Sequence, residues 1–366
     1  MASNPDLTTR DGMSAYLNSK SVDHTSVSLV SGGHTNYVYR VTLPSGETTI
    51  YKHAAGYSKS NKNLTLDASR MDYEDRVLAI LPPLLQKQIP DSYVHAVGRR
   101  SYDREHNLLC LDDGGERELK KAYTDSRLDI ENIGREMGKW IAAVHTCSTQ
   151  ASLSFSDAQD LQANNPIAVH IYRYSYDHLH EAFAQYGQDV ELAKYINEEF
   201  GGRLTTENEC ICHGDFWPGN VLVNFKDGQE KDVDLTLVDW EITRRGISAT
   251  DVGQFAAEAF LLDRFRGNRG LLPVFLNAYL DERKESSTNG AKIINKEWVR
   301  RMVVHWAVHI AYWPTWIEWT DREGTQKLVD IGVSVMKAAV DGDWERLSAS
   351  ELLKHTGGAW AEVWER

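Results

Sequence analysis

Apolar and polar residues alternate along 27–53 in the way that predicts strands. Val27-Ser28-Leu29-Val30 leads into Ser31-Gly32-Gly33, and Tyr37-Val38-Tyr39-Arg40-Val41 follows. A Pro44-Ser45-Gly46 turn separates this run from Thr48-Thr49-Ile50-Tyr51-Lys52, so the segment reads as a hairpin-rich unit. From Ser69 to Leu85 the period changes, and Met71, Tyr73, Val77, Leu78 and Leu81 mark the apolar side of a helix. Two further strand-like stretches, Tyr93 to Val97 and Leu108 to Leu111, precede the turn signal Asp112-Asp113-Gly114-Gly115.

Beyond that turn the pattern is mainly helical. Ile133, Met137, Trp140, Ile141 and Val144 recur at helical spacing between Ile133 and His145, and Val169 to Phe200 is helical with a long polar stretch. Strands return over Cys210 to Phe225 and Val233 to Asp239. Helices dominate from Asp251 onward, with interruptions near Gly267 to Gly270 and Glu285 to Gly290. The expectation is an α+β chain of two lobes with a cleft between them, where cofactor sites often lie. Residues 1–26 would be an N-terminal extension, 27–113 a small sheet-containing lobe, and 114–366 a larger helical lobe.

Charge narrows the partners. The net charge of -13 repels a phosphate backbone, which argues against nucleic acid and is compatible with a cationic substrate. Of the four cysteines only Cys210 and Cys212 are close, and one C-x-C pair is a poor zinc signature. The N-terminus lacks a basic flank before an apolar core. The apolar stretch from Val303 to Trp319 is broken by His305, His309, Pro314 and Glu318, so no membrane span is expected. These features point to a cytoplasmic protein, and they leave its oligomeric state open.

Two segments carry the strongest chemical signal. Ile211-Cys212-His213-Gly214-Asp215-Phe216-Trp217-Pro218-Gly219-Asn220-Val221-Leu222-Val223 and Val233-Asp234-Leu235-Thr236-Leu237-Val238-Asp239-Trp240-Glu241 each place acidic groups at a loop flanked by strand residues. Loops returned to one cleft would bring Asp215, Asn220 and Asp239 together. Magnesium prefers hard oxygen donors and can take a carboxylate, an amide oxygen and nucleotide phosphates in one octahedral set. A third group can then orient a hydroxyl and accept its proton, as phosphoryl transfer requires.

Upstream, Gly32 and Gly33 lie between two strand-like runs, where glycine lets backbone amides approach phosphate closely. Neither a Walker A loop nor a dinucleotide fingerprint is present. Lys52 ends the following strand, where its ammonium would reach phosphates. Glu74 in the next helix could hold it extended by an ion pair, and helical spacing leaves Asp72 and Asp75 as rival partners.

Together these segments resemble the aminoglycoside phosphotransferase and choline kinase-like family, which has the protein-kinase-like fold, from about Val27 to Leu262. His213-Gly214-Asp215-Phe216-Trp217-Pro218-Gly219-Asn220 resembles the family's H-G-D-x-x-x-x-N loop. The resemblance implies Asp215 as catalytic base, Asn220 and Asp239 as magnesium ligands, Lys52 as the phosphate-contacting lysine and Glu74 as its partner. It also implies ATP as donor, with backbone groups around Leu111 to Gly114, including Asp113, receiving the adenine. His145 matches a family helix, and Asp251 an acidic position that supports the active-site loop. Asp239-Trp240-Glu241 replaces the Asp-Phe-Gly of protein kinases and makes Glu241 a further candidate metal ligand. Without an Ala-Pro-Glu segment, a protein substrate is disfavoured.

The implied activity is transfer of the γ-phosphate of ATP to a hydroxyl of a small molecule: an amino alcohol, a sugar or an aminoglycoside-like compound. The alternative is a nucleotide-binding pseudokinase serving as an interaction module, against which retention of Asp215 argues. Trp306, Tyr312, Trp313, Trp316 and Trp319 offer faces for a cationic acceptor or belong to a core. Arg244 and Arg245 would meet a carboxylate or a phosphorylated group, or cap the surface.

Overall fold

The computed structural model describes residues 5–156, 160–225, 233–285 and 293–365. Its first lobe is a five-stranded antiparallel sheet in the order β1-β2-β3-β6-β5. These strands are β1 (Ser26–Leu29), β2 (Tyr37–Thr42), β3 (Thr48–His53), β5 (Arg99–Asp103) and β6 (Leu108–Asp112). Tyr37, Tyr39 and Val41 alternate inward along β2 and pack on α1 (Arg10–Ser19) through Met13, Tyr16 and Leu17. Residues read from sequence as an N-terminal extension thus cover one face of this sheet.

Helix α2 (Arg70–Gln88) covers the other side, burying Met71, Glu74, Val77, Leu78 and Leu81. The short strand β4 (Val94–Ala96) then leaves the first sheet and pairs in parallel with β9 (Val233–Leu237), which also pairs with β8 (Val221–Phe225). One strand of the N-terminal half is therefore hydrogen-bonded into the sheet that carries the predicted catalytic segments. Strands β7 (Cys210–Cys212) and β10 (Arg244–Gly246) form a second short ribbon beside it.

The larger lobe is helical, beginning with the single-turn α3 (Leu119–Ala122) and the amphipathic α4 (Ile130–Cys147). Asp129 caps α4 by accepting from the Asn132 N–H. Its buried Ile133, Met137, Trp140, Ile141 and Val144 each contribute about 1.5–3 kcal/mol by leaving water. The stretch 166–196 breaks into α5 (Pro166–Tyr172), α6 (Tyr174–Asp177), α7 (Leu179–Gln185) and α8 (Val190–Ile196). The long helices are α9 (Ser248–Arg266), α10 (Leu271–Glu285), α11 (Lys296–Tyr312) and α12 (Arg322–Asp341). Every residue of α9 from Ser248 to Asp263 is buried, so this helix runs through the centre of the lobe. The break at Gly267 to Gly270 separates α9 from α10, whereas most of the break expected over Glu285 to Gly290 lies outside the described residues. No helix among the described residues is long and apolar enough to cross a membrane, and all four cysteines are free.

Candidate active site

The segment from His213 to Asn220 connects β7 to β8, and its shape is fixed from below by α9. In the first turn of α9, Asp251 accepts from the backbone N–H of His213 at 2.7 Å and of Gly214 at 3.1 Å. His145 Nε2 reaches the same carboxylate at 3.2 Å, and both side chains are fully buried. Burial opposes the charge of Asp251, but the hydrogen bond and charge of His145, with Arg244, hold its pKa below the ordinary value. Gly214 has a φ of +85°, and a Cβ there would lie 2.0 Å from the Ile242 carbonyl oxygen, so the turn admits only glycine.

His213 links the loop to the end of β9. The Asp215 N–H donates to His213 Nδ1 at 3.2 Å, which leaves Nε2 to carry the proton and donate to the Val238 carbonyl at 3.1 Å. Burial pushes the imidazole pKa down to about 4, so the ring is neutral.

The Asp215 carboxylate is met on both oxygens. Gln254 Nε2 donates to Oδ1 at 2.8 Å, while Asn220 Nδ2 at 2.8 Å and Trp217 Nε1 at 3.2 Å donate to Oδ2. Burial, and then the charge of Asp239, push its pKa up to about 7 against these donors. A carboxylate tuned in this way is suited to accepting a proton near neutrality.

Across the cleft, β3 delivers Lys52, whose ammonium bridges Glu74 Oε2 at 2.7 Å and Asp239 Oδ1. Burial disfavours its charge, but Asp239, Glu74 and Glu241 outweigh that and raise its pKa. Burial in turn pushes the Glu74 carboxyl up, against the pull of Lys52. Glu74 Oε1 also accepts from the Trp240 N–H at 3.3 Å. The rivals face elsewhere: Asp72 accepts from Tyr102 and Arg104, and Asp75 from Arg99. Asp239 sits in the left-handed region at φ +69°, an uncommon conformation for a non-glycine residue and one found at functional sites.

Glu241 feels the charge of Lys52, but its hydrogen bonds go elsewhere. Its Oε2 accepts from Arg70 Nε at 2.6 Å and Asn36 Nδ2 at 2.9 Å, and its Oε1 from Thr35 Oγ1 at 2.7 Å. Arg70 Nη2 also donates to Asn36 Oδ1 at 2.8 Å. The end of the glycine loop, the start of α2 and the segment after Asp239 thus meet in one buried knot. Arg70, Asn36 and Thr35 were not anticipated from sequence, although Arg70 precedes Glu74 by one helical turn and so shares its face. Gly32 and Gly33, at φ +90° and +67°, lie exposed at the tip of that loop with open space around them.

At the end of β6, Leu111 is buried and paired with Ile50, while the Asp113 carboxylate is held by Arg40 and accepts from the Gly115 N–H. Arg244 and Arg245 are buried, so neither caps the surface, and both face protein partners. Arg244 stacks on the Tyr172 ring at 4.1 Å and donates to Thr250, whereas Arg245 donates to the carbonyls of Thr149 and Ala151. The tryptophan stripe divides: Trp306 is fully buried against Phe260, whereas Trp316 is 66% exposed. Two depressions of about 290 and 470 Å³ share Glu209 and Ile293 and include none of the residues around Asp215.

A lysine–glutamate pair beside an aspartate, facing a second aspartate braced by an asparagine, is the constellation of a phosphoryl-transfer site. The family model of the phosphotransferase enzyme family matches residues 26–287. The chain belongs to that family. It is a phosphotransferase by family, with a mixed α+β fold in which an antiparallel sheet precedes a helical lobe. It is 24% identical to a 4-hydroxytryptamine kinase of Psilocybe cubensis over 97% of this chain and 99% of that protein. A 4-hydroxytryptamine kinase of Psilocybe cyanescens is 26% identical over 95% and 98%. Among solved structures, an ethanolamine kinase of Plasmodium vivax aligns with a TM-score of 0.48 and 12% identity, covering 86% of this chain and 81% of that one.

Proposed function

We propose that the chain transfers the γ-phosphate of ATP to the hydroxyl of a small amine-bearing molecule, with Asp215 as the base. The observation that carries this reading is the Asp215 carboxylate itself. Three donors orient it, and its pKa is pushed up to about 7. It can therefore accept the hydroxyl proton as the oxygen attacks phosphorus and ADP leaves. A hydroxylated tryptamine-like acceptor is favoured because both curated relatives bear that activity in their names along nearly their whole length.

The donor set suits magnesium. Asn220 spends its N–H groups on Asp215, which turns its amide oxygen outward as a hard donor, and Asp239 adds a carboxylate oxygen. Bound there, magnesium would neutralise phosphate charge. Lys52 then has a phosphate to hold in place of its present contact with Asp239, while Glu74 keeps it extended. Gly32 and Gly33 leave backbone free to approach phosphate, and the groups from Leu111 to Asp113 receive the base at the turn that divides the small lobe from the large one. Glu241 is a tie between the glycine loop and α2 more than a metal ligand, because its oxygens already receive Arg70, Asn36 and Thr35. Use of ATP and four unpaired cysteines fit a cytoplasmic setting.

Incubation with MgATP and 4-hydroxytryptamine, followed by ³¹P NMR of the product, tests the reading. A phosphate monoester with ADP is expected. Nucleotide binding with neither ADP formation nor a phosphorylated acceptor, across hydroxylated amines generally, would favour the pseudokinase alternative.

A further inference from the structure

Asp251, Gln254 and Glu258 follow one another along α9 at i, i+3 and i+7, so they share one face of the helix. Asp251 braces the loop and Gln254 bonds the base. Glu258 is buried one turn farther on. Its Oε1 meets His309 Nε2 at 3.0 Å, and its Oε2 meets the Lys120 ammonium at 3.2 Å. The same ammonium lies 4.7 Å from the centroid of the Trp217 ring and 4.3 Å from that of Trp319. A cation held between two indole faces and a carboxylate is in the environment that recognises alkylammonium ligands.

This cage lies next to the chemistry, because Trp217 also donates its Nε1 hydrogen to Asp215. An acceptor with its hydroxyl at Asp215 and an ammonium a short spacer away would place that charge against the far side of the same indole. Gln254 Oε1 is buried without a hydrogen-bond partner among the described residues, an orphaned acceptor between Asp251 and Glu258 in the order of the helix. Lys120 is a poor permanent occupant. It stands on a single-turn helix, and its side chain keeps 24% of its exposure, so it can move into water when another cation takes its place against Glu258.

We infer that Trp217, Trp319 and Glu258 form the subsite for the acceptor's alkylammonium group, and that Lys120 fills it as an internal stand-in which the acceptor displaces. The inference rests on the phosphotransferase reading with an amine-bearing acceptor and adds the residues that select for the amine. Uncharged acceptors would leave Lys120 in place and gain nothing from the cage.

Calorimetric titration of the full chain with 2-phenylethylammonium, which has no hydroxyl to phosphorylate, tests the subsite apart from catalysis. Lys120→Met should tighten binding by about threefold to tenfold, since the probe no longer competes with a tethered cation. Glu258→Gln and Trp319→Leu should each weaken it by roughly tenfold. ATP affinity, measured on the same preparations, reports that each variant is folded. Weaker or unchanged binding in Lys120→Met, or unchanged binding in folded Glu258→Gln, would overturn the inference. If the probe behaves as expected but no hydroxylated amine is phosphorylated, the cation subsite stands and the kinase reading fails. Phosphorylation of uncharged acceptors by a chain that does not bind the probe would have the opposite meaning.

Discussion

Arg70 Nε donates to Glu241 Oε2 at 2.6 Å, joining the first turn of α2 to the segment that follows Asp239, with both side chains buried. Through Asn36 and Thr35 the pair also holds the end of the glycine loop, so the two lobes are tied at a point beside the proposed phosphate site.

Arg70→Met would leave the buried Glu241 charge without its ion-pair partner, and should cost up to about 3–5 kcal/mol of stability in denaturant unfolding, less whatever Lys52, Asn36 and Thr35 still offset. Glu241→Gln should lower stability yet leave the magnesium concentration for half-maximal activity unchanged. A magnesium requirement shifted by tenfold or more would instead make Glu241 a ligand.

Asp251→Ala removes the acceptor of two successive backbone N–H groups and of His145. Stranding buried donors costs about 1–3 kcal/mol each, so thermal unfolding should move down. Because the loop that aims Asp215 loses its brace, kcat should fall by about a hundredfold, while ATP affinity, which Lys52 and the turn after β6 also support, should fall much less.

Gly214→Ala places a Cβ against the Ile242 carbonyl oxygen at a left-handed φ. The expected result is loss of more than about 1–2 kcal/mol and near-complete loss of turnover, both read on purified protein. An active Gly214→Ala enzyme with wild-type stability would show that the loop is not held as described.

His213 gives a pH signature. Its folded pKa, about 4, lies below its unfolded value near 6.5, so between these limits the unfolded chain binds the extra proton. Its contribution is fully present above about pH 6.5 and is lost as pH falls toward 4, by roughly 3 kcal/mol in all. Urea unfolding at pH 7 and pH 4.5 should show a smaller difference in His213→Asn than in the native chain.

The elements with plain periodicity were legible from sequence: the hairpin around Pro44 to Gly46, the amphipathic Ile133–His145 helix and the strands on either side of Asp215. The residues of the H-G-D-x-x-x-x-N loop were legible because they are local. Choosing Glu74 over Asp72 and Asp75 was not, since three carboxylates within one helical turn differ only in which strand they face. Gln254 and Glu258 resemble ordinary polar positions in a helix, and only the i, i+3, i+7 spacing from Asp251 marks them. The contacts of Glu241 and Arg244 could not be read from sequence for one reason: their partners, Arg70 and Tyr172, are distant in sequence and near only after folding. The packing of α1 onto the first sheet was likewise invisible, because Met13, Tyr16 and Leu17 make too short an apolar side to declare itself.

The central claim is that Asp215 takes the proton of the acceptor hydroxyl. Single-turnover transfer from radiolabelled MgATP to a hydroxylated amine, in the native chain and in Asp215→Asn, measures it most directly. Asparagine keeps the size of the side chain and loses the base. Transfer should slow by roughly 10²–10⁴-fold while MgATP binding stays within a few-fold of native. Transfer at the native rate in Asp215→Asn would contradict the account.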